Sequence, residues 1–176
     1  MVLFPRLPAR RQAEHADGES TGEIVLRAPW LTQGYLKDHH NSEQLWRGGY
    51  LHTGDVANQE TNGYFKITDR AKDVIKIAGE WVSSLELEDL IAQHATVSEV
   101  AVIGTPDDKW GERPLALVVR GESEPNEKEL VSFVKSFVDS GRLTRHAMML
   151  KVLVVDEIDK TSVGKIDKKL LRKKHL

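Results

Sequence analysis

The chain of 176 residues contains no cysteine, which excludes disulfide bonds, thiolate metal ligands and cysteine nucleophiles. This absence fits a reducing compartment, so the sequence predicts a cytoplasmic protein. No apolar run approaches the ~20 residues of a membrane-spanning helix, so we expect no transmembrane segment. The N-terminal stretch "MVLFPRLPARRQ" has two prolines and no long apolar core, and we expect no secretory signal there.

A strong charge of one sign is also lacking. The formal net charge is -2, which predicts no nucleic-acid partner and no attraction to anionic membranes, so any anion site must be local. Residues 160–176 are the exception, because they contain seven lysines or arginines and one acid, Asp167. With 40% hydrophobic and 30% charged residues, the chain can bury one substantial core with a smaller unit attached.

Gly164 and Lys165 lie at the start of this basic stretch. They do not belong to a P-loop, G-x-x-x-x-G-K-[ST], because Asp159 occupies the first glycine position and Ile166 replaces the hydroxyl residue that would bind Mg²⁺. Two interpretations remain from this stretch alone. Lys165 is a phosphate-binding lysine of another kind, or the glycine forms a turn that opens a basic terminal helix.

Short strands are predicted in the first 70 residues. The segments "GEIVLRAP", "GGYLHTGD" and "NGYFKITD" each combine an apolar run with glycine or asparagine turn signals. These are too few strands for a sheet that closes by itself.

From residue 71 onward the pattern alternates between strands and helices. "KDVIKIAG", "EVAVIG", "PLALVVR" and "KVLVV" predict strands, the last of them buried. Ser83 and Asn126 each begin a capping box, so each predicts the start of a helix, and "KIDKKLLRKKH" predicts a basic closing helix. The whole chain therefore predicts an α+β fold.

Polar residues considered singly do not define a site. Asp55 follows a glycine turn, a place where aspartate is common because it bonds to its own backbone. His39 and His40 are adjacent and cannot easily face one metal, and the other histidines lack ligand spacing, so no metal site is predicted. Ser83 and Ser84 are interpreted as helix caps and not as nucleophiles.

Five segments taken in order are more informative than any single residue. They are "GEIVLRAPWLTQGYL", "GGYLHTGDVA", "GYFKITDRAKDVIKIAGEWVSSLELEDLI", "VSEVAVIGTPDDKWGERP" and "TSVGKIDKKLLR". Together they closely resemble the C-terminal third of adenylate-forming enzymes, the superfamily of acyl-CoA synthetases, luciferases and peptide-synthetase adenylation domains. The resemblance implies that residues 1–70 are the end of the large domain's β-barrel region. It implies that residues 71–176 are the small C-terminal mobile lid domain, a short sheet packed with helices.

The resemblance also implies roles for individual residues. Lys165 corresponds to the family's catalytic lysine, carried on a loop of the lid. Asp55 corresponds to the ribose-binding aspartate, and Arg70 to the nearby arginine that helps fix the nucleotide, with Ile67 beside it. Lys72 corresponds to the hinge between the domains.

The strand-turn after the hinge implies a second working face of the lid. Lys76, Gly79 and Trp81 correspond to the side that faces the pantetheine arm of coenzyme A, where the glycine leaves room for the thiol.

The implied reaction joins a carboxylate to the α-phosphate of ATP, releases pyrophosphate, and then lets a thiol displace AMP from the acyl adenylate. A lysine ammonium between the carboxylate and the phosphate would cancel the repulsion between two anions. ATP, CoA and Mg²⁺ are the cofactors expected of the full-length enzyme, and none is expected to bind tightly to this chain alone.

The segments "GEWVSS" and "KWGERP" are most similar to those of bacterial medium- and long-chain fatty acyl-CoA ligases, so a fatty acid is the expected carboxylate partner. An aryl or other small carboxylate is one alternative. A non-catalytic binding module, whose basic tail docks an acidic partner, is another. The family's large domain, with its phosphate loop and its adenine and Mg²⁺ motif, has no counterpart here, so we expect a fragment that is inactive alone.

Overall fold

A computed structural model describes residues 2–4 and 21–176. The chain divides into two compact units, Met1–Lys72 and Asp73–Leu176, which are described separately below. The prediction that residues 1–12 contain no secretory signal concerns residues that lie mostly outside the described part of the chain. Within the described part, no helix combines the length and the apolarity needed to cross a membrane.

The first unit contains an antiparallel sheet with the strand order β1-β2-β3-β4. The strands are β1 (Val2–Phe4), β2 (Thr21–Leu26), β3 (Leu51–Gln59) and β4 (Phe65–Arg70). The three strands predicted from "GEIVLRAP", "GGYLHTGD" and "NGYFKITD" are therefore present as β2, β3 and β4.

Helix α1 (His39–Leu45) and a 3-10 helix (Arg47–Gly49) lie between β2 and β3, and the sequence interpretation did not include them. Asp38 caps α1 by accepting a hydrogen bond from the backbone N–H of Asn41 at 3.1 Å. The helix buries none of its residues. Without a buried stripe it carries none of the apolar periodicity by which a helix is recognised in a sequence.

The second unit is a mixed sheet with three helices. Its sheet has the order β6-β5-β8-β7, and β9 pairs in parallel with β8. In chain order the elements are β5 (Ile75–Ile77), β6 (Glu80–Val82), α2 (Ser84–Ile91), β7 (Val97–Asp107), β8 (Gly111–Arg120), α3 (Glu127–Asp139), a 3-10 helix (Arg145–Met149), β9 (Lys151–Val155) and α4 (Lys168–His175). The predicted α+β class is confirmed.

The helices of this unit begin at the predicted caps. The side chain of Ser83 accepts a hydrogen bond from the N–H of Glu86 at 3.0 Å, and that of Asn126 accepts one from Lys128 at 2.9 Å. Helix α3 ends just before Gly141, whose φ of 77° is the left-handed conformation typical of a helix C-terminus.

Two groups of apolar residues form the core of the second unit. The larger lies among β5, β7, β8, α2 and α3, and includes Ile77, Leu90, Val102, Val118 and Leu130. The smaller holds α4 to the sheet and consists of Ala101, Ile103, Leu117, Ile158 and Leu171. Along β7 and β8, buried residues of the larger group alternate with buried residues of the smaller group, so both faces of this strand pair are covered.

Strand β9 corrects one expectation. Its sequence "KVLVV" is almost entirely apolar and predicted a buried strand, but Leu153 and Val154 are 40% and 41% exposed. The strand pairs only with β8 and so lies at an edge. Apolar composition predicts a strand here but not its burial, which depends on whether another element packs against it.

Candidate functional site

Asp55 and Arg70 lie side by side on the sheet of the first unit. They are directly opposite each other in the β3–β4 pairing, and Arg70 Nε lies 2.9 Å from Asp55 Oδ1. The Asp55 side chain is 27% exposed and that of Arg70 56%, so solvent can reach both groups. The structure thus brings together two residues that the sequence assigned to one nucleotide.

The backbone around Asp55 departs from regular pairing. In β2, Val25 pairs with His52 and Glu23 pairs with Val56, so one residue of β2 faces three residues of β3. Such a bulge re-aims side chains and is frequent beside active sites. At its centre Gly54 has a φ of 72°, a left-handed conformation that favours glycine.

Side chains and a neighbouring loop replace the ladder hydrogen bonds that this bulge interrupts. Thr53 Oγ1 donates to the carbonyl of Ile24 at 2.8 Å and accepts from the N–H of Asp55 at 3.1 Å. Glu23 Oε1 accepts from the N–H of Gly54 at 3.0 Å. The N–H of Ala71 donates to the carbonyl of Gly54 at 2.9 Å. The turn that carries Asp55 is therefore fixed from several sides.

The two remaining residues assigned to this unit are exposed. Ile67 lies opposite Ala57 in the β3–β4 pairing and is 58% exposed. Lys72 is the last residue of the first unit, and it lines an open groove with Tyr35, Asp38 and His52. The division of the chain thus falls directly after Lys72.

Lys76, Gly79 and Trp81 belong to one β-hairpin of the second unit. Its strands β5 and β6 are joined by two residues, Ala78 and Gly79, with φ values of 51° and 90°. Two positive φ values are typical of the tight turn that matches the twist of a hairpin.

One contact from the start of β8 and one from the β7–β8 connection fix this hairpin. The N–H of Lys76 donates to Glu112 Oε2 at 2.6 Å, and the N–H of Ala78 donates to the carbonyl of Trp110 at 2.8 Å. A hydrogen bond to a carboxylate is stronger than one to a neutral acceptor. The position of the Gly79 turn in this unit is therefore well defined.

Lys165 lies at the end of a second tight hairpin. The N–H of Thr161 donates to the carbonyl of Lys165 at 2.7 Å, and three residues, 162–164, form the loop between them. Gly164 at the last loop position has a φ of 78°, as three-residue hairpin loops require. Lys165 is exposed, and no ion pair of its ammonium is found among the described residues. A cation is thus presented on a short, ordered loop.

Ion pairs on both sides of this loop hold it to the unit. Before the loop, Lys160 Nζ lies 2.8 Å from Glu99 Oε1. After it, Lys168 Nζ lies 2.8 Å from Glu88 Oε1 and donates to Ser84 Oγ at 2.7 Å. The side chains of Lys168 and Glu88 are each only 10% exposed, so this pair is largely shielded from solvent.

Helix α4 is anchored by two further ion pairs. Arg172 Nη2 lies 2.8 Å from Asp73 Oδ1, and Lys174 Nζ lies 2.6 Å from Asp159 Oδ1. Asp73 is the first residue of the second unit. The basic terminal segment is therefore a structural anchor of the Lys165 loop as well as a charged surface.

The two hairpins of the second unit are attached at different ends of the β7–β8 pair. Ile77 pairs with Gly111 at the start of β8, whereas Glu99, the partner of Lys160, pairs with Val119 near its end. Val119 lies eight positions after Gly111 along β8, which is roughly 26 Å. The Gly79 turn and the base of the Lys165 hairpin are thus far apart within one unit.

Four polar residues at the site were missed by the sequence interpretation: Glu23, His52, Glu88 and Lys168. Glu88 had a detectable signal, because it lies on the helical face of α2 that also carries Leu87 and Ile91. A carboxylate on an apolar face needs a buried partner. Its partner Lys168 is far away in sequence and gave no signal of its own.

The carboxylates of the site do not form a metal centre. Among the residues that the structure describes, no group of three or more His, Cys, Asp or Glu side chains could hold a metal ion.

Residues 86–165 match the family described as the AMP-binding enzyme C-terminal domain. The 3-methylmercaptopropionyl-CoA ligase of Ruegeria lacuscaerulensis is 40% identical over 89% of this chain and 28% of its own length. The long-chain-fatty-acid–CoA ligase of Thermus thermophilus is 37% identical over 90% of this chain and 29% of its own length. Among solved structures, ATP-bound MatB from Rhodopseudomonas palustris is similar to this chain with a TM-score of 0.79 and 28% sequence identity. The match covers 99% of this chain and 33% of the MatB chain.

These matches share one feature of length. The chain spans 28% to 30% of the length of the curated relatives that it matches. It corresponds to one part of much longer proteins.

Proposed function

Because the chain belongs to the adenylate-forming enzymes of the acyl-CoA synthetase superfamily and carries their C-terminal part, we propose that the full-length protein is an ATP-dependent acyl-CoA ligase. One observation carries this proposal beyond the resemblance. Lys165 is an exposed lysine at the end of a short hairpin that is held on both sides by ion pairs. Such a loop can deliver a cation to a reaction between two anions.

In the first proposed step, an oxygen of the substrate carboxylate attacks the α-phosphorus of ATP. The bond between the α-phosphorus and the bridging oxygen breaks, and pyrophosphate leaves with the electron pair. The ammonium of Lys165 lies between the carboxylate and the phosphate, lowers their repulsion and stabilises the charge that develops on the phosphoryl oxygens. The product is an acyl adenylate.

Asp55 and Arg70 hold the nucleotide during this step. A carboxylate accepts hydrogen bonds from the two ribose hydroxyls, and Arg70 orients that carboxylate through the 2.9 Å contact. Ile67, exposed on the same strand as Arg70, offers an apolar contact beside the nucleotide. These three residues supply binding and orientation, whereas Lys165 supplies charge to the reacting atoms.

In the second proposed step, the thiol sulfur of CoA attacks the acyl carbon, loses its proton and displaces AMP. A rotation at Lys72 exchanges the two hairpins of the second unit at the active site. The Gly79 turn then faces the thiol, together with Lys76 and Trp81. The roughly 26 Å between the attachment points of the two hairpins supports an exchange, since both cannot serve one site at once.

We propose an aliphatic carboxylate, and within this class a fatty acid, as the substrate. Relatives are named for 3-methylmercaptopropionate, 2-methylpropanoate, acetate and long-chain fatty acids, all of which are aliphatic. The resemblance of "GEWVSS" and "KWGERP" to fatty acyl-CoA ligases supports the longer acids. An aryl acid is the second candidate, because an anthranilate-CoA ligase aligns with 99% of this chain at 26% identity.

The test measures both half-reactions in the full-length protein. Pyrophosphate release across a panel of short, long and aryl acids reports adenylation, and single-turnover thioester formation from supplied acyl adenylate reports the second step. Lys165→Ala is expected to slow adenylation at least about a hundredfold, because the charge it supplies is worth a few kcal/mol, and to spare the second step. Lys169→Ala, an exposed lysine on α4, is the matched control.

Gly79→Asn is expected to slow thioester formation and spare adenylation. Asparagine is chosen because it tolerates a left-handed backbone better than most other side chains, which keeps the contribution of backbone strain to its effect small. Equal loss of both steps in Lys165→Ala and Gly79→Asn would refute the two-faced arrangement. Absence of ATP-dependent pyrophosphate release with every acid would refute the ligase itself and leave a binding module.

A further inference from the structure

Glu23 lies next to the nucleotide-binding residues but contacts them only through the backbone. Its two carboxylate oxygens have different partners. Oε1 accepts the N–H of Gly54 at 3.0 Å, and Oε2 lies 2.8 Å from His52 Nδ1. The Glu23 side chain is 19% exposed, so these contacts lie largely out of solvent.

His52 continues the chain of contacts. Its other ring nitrogen, Nε2, lies 2.9 Å from the backbone oxygen of Arg47 in the 3-10 helix. The ring therefore bridges that helix to Glu23 and fixes the direction of the Glu23 carboxylate. The His52 side chain is 16% exposed, so little water can replace Glu23 and Arg47 as its hydrogen-bond partners.

The bulge explains why these contacts matter. Strand β3 has two more residues than β2 between the paired positions 52 and 56, so the N–H of Gly54 has no ladder partner from β2. Glu23 supplies the missing acceptor. Because Asp55 follows Gly54 directly, a shift of the Gly54 peptide changes the direction of the Asp55 side chain.

We propose that Glu23, oriented by His52, is a positioning residue that holds the Gly54 bulge and thereby aims Asp55 at the ribose of the nucleotide. The inference rests on the proposed function, since it needs Asp55 to bind ATP. Glu23 itself touches no substrate. Its effect should therefore appear in nucleotide affinity and disappear when Asp55 is absent.

The first test is made on the full-length protein and needs no activity. Hydrogen bonding to a carboxylate moves an amide proton resonance downfield and slows its exchange. In Glu23→Ala, the Gly54 N–H is expected to move upfield and exchange faster in ¹H–¹⁵N spectra, while Glu43→Ala, an exposed control in α1, leaves it unchanged. Glu23→Gln, which keeps an acceptor oxygen, should give an intermediate shift. An unchanged Gly54 resonance in Glu23→Ala would overturn the proposal.

The second test measures steady-state kinetics of the full-length protein. Glu23→Ala is expected to raise KM for ATP about ten- to a hundredfold, as expected when a binding group is misplaced, with kcat nearly unchanged. KM for the acid should not change. A purely structural role would instead reduce the amount of folded enzyme, and so lower kcat without raising KM for ATP.

A double-variant cycle identifies Asp55 as the residue through which Glu23 acts. Glu23→Ala combined with Asp55→Ala should have the same KM for ATP as Asp55→Ala alone, and additive effects would overturn the proposal. If the full-length protein without substitutions shows no ATP-dependent activity, the proposed function is wrong, and so is the role of Glu23 in aiming Asp55 at the nucleotide. The Gly54 resonance distinguishes this case, because it depends on the Glu23 contact alone.

Discussion

The buried ion pair between Glu88 and Lys168 should be essential to the stability of the second unit. Lys168 Nζ lies 2.8 Å from Glu88 Oε1 and 2.7 Å from Ser84 Oγ, and Glu88 Oε1 also accepts the N–H of Val102 at 2.7 Å. Both charged side chains are 10% exposed, so solvent screens them little. Lys168→Met keeps the length of the side chain and removes only its charge and donors.

The expected loss of stability in Lys168→Met follows from the contacts that Glu88 keeps in this variant. Glu88 keeps the Val102 N–H but loses its cation, and a buried charge without its partner costs about 3 to 5 kcal/mol. The retained hydrogen bond places the expected value at the lower end, about 3 kcal/mol, or about a hundredfold in the unfolding equilibrium. Lys173→Met, at an exposed position of the same helix, should change stability by less than about 0.5 kcal/mol.

Urea titration followed by ¹H–¹⁵N peak intensities measures this loss. Amide peaks of β7 and β8 report the second unit, whereas a signal averaged over both units would mix two transitions. A second variant keeps the test informative if Lys168→Met is largely unfolded. Glu88→Gln in the Lys168→Met background removes the unpaired charge and keeps an oxygen acceptor for Val102, so it should recover at least about 1 kcal/mol.

Two results would refute this reasoning. A loss below about 1 kcal/mol in Lys168→Met would show that the pair behaves as a surface ion pair. A double variant as unstable as Lys168→Met, or less stable, would show that an uncompensated charge on Glu88 is not the cause.

Three further predictions concern the linker residue and two turns. Lys72→Pro restricts φ, so it should slow thioester formation and spare adenylation in single-turnover assays; equal slowing of both steps contradicts a hinge. Ala78→Asn relieves a left-handed alanine and should raise the free energy of unfolding of the second unit by about 0.5 to 1 kcal/mol; a lower urea midpoint contradicts this. The hydrogen bond from the Trp110 N–H lowers the pKa of Asp107 below 3.8. The stability that this hydrogen bond gives to the folded second unit is therefore complete above pH 3.8 and is lost as the pH falls further; a carboxyl ¹³C titration midpoint at or above 3.8 contradicts this.

Local rules account for much of what could be predicted. Ser83 and Asn126 start helices because a short polar side chain satisfies a free N–H of the first turn, and this needs no distant partner. The short apolar runs in "GEIVL" and "PLALVV" likewise predict strands from neighbours alone. The overall class follows because these elements have few ways to pack together.

The candidate site was predictable to a different degree. Asp55, Arg70 and Lys165 were found because the resemblance assigned roles to short segments, and those roles remain proposals. The ion pair between Asp55 and Arg70 depends on the strand register, since the two residues are opposite only when β3 and β4 pair as they do. Glu23 and His52 were missed because 29 residues separate them and only the β2–β3 pairing brings their side chains together.

The sequence by itself determined most of the strands and helices, the caps of α2 and α3 and the excess of basic residues at the end of the chain, because each depends on residues a few positions apart. Only the tertiary structure decided that β9 is exposed at an edge, that Glu23 completes the Gly54 bulge, and that Lys168 is buried against α2. Each of these depends on which distant residues meet; Ser84 and Lys168, for example, are 84 positions apart. Burial and charge pairing are properties of such meetings, and no local pattern encodes them.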